Sequence, residues 1–124
     1  MPTPDQMTAA VHAYVDGFAR EDAAAVAALF ADDAVVSDPV GSEPKCGRGA
    51  FAPFFEQTVG SGAKLTLDGP IRLGPDYAAF AFHVSLVWEG APMRIDVIDV
   101  FHFDAAGKIR RMDAYFGPAN FVPA

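Results

Sequence analysis

A chain of 124 residues has room for one hydrophobic core but not for two, so residues 1–124 are expected to form a single domain. A formal charge of −7 with only nine Lys and Arg excludes the basic patch that nucleic acid or an anionic membrane surface needs. The lone Cys46 excludes an internal disulfide, and the N-terminus carries no basic stretch running into an apolar one, so a soluble cytoplasmic protein is expected.

Thr3-Pro4-Asp5-Gln6 reads as a helix start: Thr3 caps, Pro4 suits the first helical position, and Gln6 stands three residues after the cap. Met7, Val11, Tyr14, Val15 and Phe18 then recur at spacings of three and four, which puts Tyr14 on the buried face. Asp22 caps a second short helix in which Val26, Leu29 and Phe30 face inward, and Asp32-Asp33 end the helical section. Residues 34–38 read as a short strand closed by the turn Pro39-Val40-Gly41-Ser42, so Asp38 stands at a strand end. A third helix follows, roughly residues 50–58, with Phe51, Phe54 and Phe55; Pro53 is tolerable there only in the first turn.

From Ala63 onward the chain reads as strands, with a bend at Gly69-Pro70. Phe80, Phe82, Val84, Leu86 and Trp88 alternate onto one face. After Glu89-Gly90-Ala91-Pro92, the residues Met93, Ile95, Val97, Asp99, Phe101 and Phe103 share a face of the next strand. In the last, Met112, Ala114 and Phe116 oppose Arg111, Asp113 and Tyr115. Three helices followed by a long meander imply an α+β fold, the helices packed in a curved antiparallel sheet around a conical cavity. The inward rows offer Phe82, Val84, Val97, Phe101, Met112, Ala114 and Phe116, joined by Phe54 and Phe55 from the third helix. They suit a flat, apolar molecule with few polar handles.

Asp99 is the one carboxylate in its apolar row. A charge there needs a cationic partner; otherwise the group keeps its proton and becomes a hydrogen-bond donor. Tyr14 and Asp38 converge on the same cavity in this arrangement. A phenol and a neutral carboxylic acid stabilise an oxygen that becomes negative, while an ionised carboxylate moves a proton nearby, which is machinery for enolisation. Each residue also has a plain use: Tyr14 as a core residue, Asp38 as a turn former before Pro39, Asp99 as a structural acid. His12, His83 and His102 lack metal-ligand spacing, and neither a phosphate loop nor a nucleophile elbow occurs, so no metal and no cofactor is expected.

Residues 30–44, Phe-Ala-Asp-Asp-Ala-Val-Val-Ser-Asp-Pro-Val-Gly-Ser-Glu-Pro, resemble the bacterial Δ5-3-ketosteroid isomerases, as do Asp96-Val97-Ile98-Asp99 and the ending Met112-Asp113-Ala114-Tyr115-Phe116-Gly117. The resemblance spans nearly the whole chain. It implies a nuclear-transport-factor-like cone, a cofactor-free homodimer, and conversion of 3-oxo-Δ5-steroids to 3-oxo-Δ4-steroids. Asp38 would then be the base that carries the proton, and Tyr14 and protonated Asp99 the donors that hold the dienolate oxygen. Phe54, Phe82, Met112, Ala114 and Phe116 fall where the family lines its steroid cleft. Some members carry tyrosines where this chain has Phe30 and Phe55, so the hydrogen-bond network behind Tyr14 is expected to be shorter here. The same cone also serves polyketide cyclases, dehydratases and epoxide hydrolases, and a non-catalytic carrier of hydrophobic ligands is the other alternative.

Overall fold

The computed structural model describes all residues, Met1–Ala124. Helix α1 (Pro4–Ala19) starts at the expected cap: Thr3 Oγ1 accepts from the Gln6 N–H at 3.1 Å, and Gln6 Oε1 accepts from the Thr3 N–H at 2.8 Å. It buries Met7, Val11, Tyr14, Gly17 and Phe18. Helix α2 (Ala23–Ala27) is capped by Asp22, whose Oδ1 accepts from the Ala25 N–H at 3.0 Å. Gly17 lets the two helices touch, since a Cβ there would stand 2.5 Å from Val26 Cγ2.

The second helix is shorter than its apolar spacing suggests. Leu29 lies beyond it, and Phe30 opens strand β1 (Phe30–Ser37) because the chain is captured there by the sheet: Phe30 pairs with Ile109, whose N–H donates to the Leu29 carbonyl at 3.0 Å. Asp32 and Asp33 are exposed in β1, within a register irregularity, rather than at a helix end. Arg48 fixes this corner, donating to Asp32 Oδ1 and to the carbonyls of Ala27 and Phe30 at 2.7–3.0 Å.

After β2 (Lys45–Cys46), helix α3 runs Arg48–Gly60, so it begins earlier than expected and Pro53 sits inside it. Pro53 and Gly49, the residue whose carbonyl loses its helical donor, are both exposed, so water can satisfy that carbonyl. The remaining strands are β3 (Lys64–Leu67), β4 (Arg72–Leu73), β5 (Tyr77–Trp88), β6 (Ala91–Phe103), β7 (Ile109–Tyr115) and β8 (Phe121–Pro123), with one 3₁₀ turn at Pro118–Asn120.

The sheet order is β2-β1-β7-β6-β5-β3, with β4 on β5 and β8 on β6. It is mixed rather than wholly antiparallel: β1 pairs β7 in parallel, because the intervening chain returns beside it in the same direction. All twelve residues of β5 pair with β6 through a two-residue turn whose Glu89 and Gly90 have φ of 50° and 80°. Phe30, Phe51, Phe55, Phe80 and Phe101 are sealed between the helices and the concave face of the sheet. That aromatic block fills one end of the space and leaves the other end hollow.

Candidate active site

The hollow is a cavity of about 420 Å³, walled by α1, α3 and the inward rows of β3, β5, β6 and β7. Its floor follows from the pairing of β6 with β7. Phe101 stands opposite Met112, and there the packed rings of Phe30, Phe80 and Phe103 leave no space. Two residues along, Asp99 stands opposite the small Ala114, and the cavity opens.

Tyr14, Asp38 and Asp99 all line this cavity, from the buried face of α1, the residue after β1 and the middle of β6. Phe54, Phe82, Val84, Ala114 and Phe116 line it as well. Three residues expected there do not: Phe101 is fully buried in the block of rings beneath the floor. Phe55 is fully buried one helical step round from Phe54, against Tyr14 and Phe30, and Met112 is fully buried below the floor beside Phe101. Both support the wall from behind. His83 and His102 lie on the opposite face of the sheet, where His83 Nδ1 meets Asp68 at 2.8 Å and His102 Nε2 stands 3.7 Å from Asp113.

Asp99 is 1% exposed, and neither carboxyl oxygen has a hydrogen-bond partner in the protein. No cation offsets the loss of water, so burial, reinforced by the negative charge of Asp38, raises its pKa well above the carboxylate range. Tyr14 rests against the rings of Phe18 and Phe101, each 5.2 Å away between centroids, and Phe55 at 6.2 Å. Burial, and after it the negative charge Asp99 and Asp38 carry when ionised, push its phenol upward too. Asp38 is half-buried, and desolvation raises it to about 6 against the lowering influence of Lys45. Burial thus favours the protonated forms of Asp99 and Tyr14, while Asp38, raised to about 6, lies where acid and carboxylate interconvert close to neutrality.

Gln57, Thr58, Ser61 and Leu65 also line the cavity, though the sequence did not point them into it, and Ile95 does so from the row that holds Asp99. On α3 the signal was present, since Phe54, Gln57, Thr58 and Ser61 follow the spacing of one helical face.

A SnoaL-like domain matches residues 11–112. The chain belongs to the SnoaL-like family. The chain is also similar to a steroid Δ-isomerase of Nocardioides simplex, 36% identical over 117 residues that make up 94% of each chain. The likeness to ketosteroid isomerases drawn from the sequence motifs therefore stands. A solved structure of the epoxide hydrolase/cyclase-like enzyme SalBIII, of pyran-ring formation in the polyether salinomycin, superposes on this SnoaL-like chain with a TM-score of 0.92. The superposition covers all of both chains at 22% identity, which shows a shared fold.

Proposed function

We propose that this protein is a cofactor-free steroid Δ-isomerase that moves a carbon–carbon double bond of a 3-oxosteroid from the β,γ to the α,β position. The observation that carries the reading is Asp99: a buried acid with two unpartnered oxygens, in an apolar cavity also lined by Tyr14 and Asp38. A structural carboxylate would be expected to have partners. One awaiting the oxygen of a ligand would not.

In this reading the 3-ketone oxygen accepts hydrogen bonds from the Tyr14 hydroxyl and from protonated Asp99. The Asp38 carboxylate takes a proton from the carbon between the ketone and the double bond. The electrons move onto the ketone oxygen, where the two donors stabilise the dienolate. Asp38 then returns the proton to the far end of the dienolate, leaving the conjugated enone and a carboxylate ready for another cycle. The 36% identical steroid Δ-isomerase supports the substrate class. Tyr77, Ile98 and Tyr115, exposed on the outer face of β5, β6 and β7, support pairing with a second copy of the chain.

Growth of enone absorbance after adding 5-androstene-3,17-dione tests the chemistry. Wild type is expected to turn over, and Asp38→Asn to bind the steroid with turnover abolished. A variant that keeps a near-native rate removes Asp38 as the base.

A further inference from the structure

The face of α3 that lines the cavity changes character along its length. Phe54 carries the Lys45 ammonium 4.7 Å from its ring centroid, and Lys45 is the cation that lowers the Asp38 pKa, so Phe54 marks the proton-transfer end. Gln57 and Thr58 continue the same face one turn onward, about 5–6 Å along the axis at 1.5 Å per residue, and Ser61 follows a turn later at the helix C-cap. The opposite wall is longer. Ile95 lies four residues from Asp99 on β6, about 14 Å at 3.4 Å per residue. It pairs with Val84, which pairs in turn with Leu65, just after α3 ends. The cavity therefore has a proton-handling end beside Asp38 and Asp99 and a polar end at Gln57 and Thr58, with the apolar side chains of Phe54, Val84 and Ile95 on the walls.

The hydrogen bonds within the polar end show which groups are free. Ser61 Oγ donates to the Thr58 carbonyl at 2.6 Å and accepts from the Ala63 N–H at 3.4 Å, so its proton is committed. The Thr58 hydroxyl reaches the Phe55 carbonyl only at 3.5 Å, the outer limit for such a bond. Gln57 is exposed and its amide bonds to no other protein group, leaving two N–H donors at the rim.

We propose that Gln57, with Thr58 beside it, forms a subsite that donates a hydrogen bond to an oxygen acceptor at the far end of the ligand. It selects fused-ring ketones carrying a second carbonyl on the ring most distant from the 3-ketone. The subsite rests on the isomerase reading for the orientation of the ligand.

The ratio of kcat/KM for 5-androstene-3,17-dione to that for 5-androsten-3-one, which lacks only the 17-oxygen, measures the contact. Wild type is expected to favour the dione. Gln57→Leu and the double variant Gln57→Leu/Thr58→Val should reduce that preference by roughly 2- to 10-fold, the worth of one net hydrogen bond. Gln57 is exposed, so its replacement opens no core. A wild type indifferent to the 17-oxygen, or variants that keep the preference, overturns the subsite while leaving the isomerase intact. A parallel binding measurement uses 4-androstene-3,17-dione and 4-androsten-3-one, followed by quenching of Trp88, the one tryptophan, which lines the cavity. Binding preference that the variants lose, without turnover of either substrate by wild type, upholds the subsite and defeats the isomerase reading. Absence of both binding and turnover defeats the two together.

Discussion

The acid limb of the pH–rate profile is the most direct check on the proposed division of labour. Desolvation raises Asp38 to about 6, and only its ionised form can accept the proton. With that pKa, about nine-tenths of Asp38 is ionised at pH 7 and about one-tenth at pH 5, so kcat/KM should fall roughly tenfold across the interval. Burial displaces Asp99 and Tyr14 upward, in the direction that keeps their protons on, so Asp38 is the ionisation expected to shape the limb. Lys45→Met removes the cation that favours the carboxylate, and the limb should move to higher pH. Folding shows the same shift with a definite sign. The folded state holds the Asp38 proton more tightly than the unfolded chain, so the group favours folding below the unfolded pKa. That contribution, roughly 3 kcal/mol from a rise of 3.8 to about 6, is lost as the pH rises through about 6. Enone absorbance with an uncharged steroid, in buffers from pH 4.5 to about 8, reads the limb without titrating the substrate. A plateau already reached at pH 5, or an unmoved limb in Lys45→Met, would refute the argument.

Replacing Tyr14 by Phe should slow turnover by roughly 10²-fold or more, because one of two donors to the developing oxyanion is lost; a rate within a few-fold of wild type removes Tyr14 from that role. Asp99→Leu should slow isomerisation yet raise stability by about 1–3 kcal/mol, since it deletes buried oxygens without partners. Urea unfolding measures this, and a less stable variant would show that Asp99 has hidden partners. Gly17→Ala should destabilise, although alanine favours a helix by about 1 kcal/mol, because its methyl would meet Val26 Cγ2 and force α1 from α2. An equal or higher urea midpoint would show that the helices part freely.

Much of the site could be read from alternation alone. The apolar row with Asp99 in its middle carries into the structure unchanged, because a half-buried strand has one pattern that fits. Tyr14 was equally legible from helical spacing. Asp38 was harder, since an acid before proline also describes an ordinary turn. Phe55, Phe101 and Met112 were misplaced because periodicity gives the face a residue uses but not the depth at which the space along that face is filled. The parallel pairing of β1 with β7 was hidden because strand order depends on contacts between segments far apart in the chain, and local alternation does not encode it.

The tight reversal at Glu89 and Gly90, ten chain positions from Asp99, sets β6 against β5 in a register that agrees with the face the acid takes. Side chains alternate strictly with position, so the parity of the hairpin is inherited by everything threaded beyond it. One residue of slip in the ladder itself, rather than in the loop, would turn the acid toward the outside and offer Ile98 or Val100 to the hollow instead. Two would restore the orientation at a displaced height. The chemistry of the chamber is thus guarded by a counting rule in the ladder, and a longer tip is harmless as long as the loop, and not the pairing, takes up the added residues.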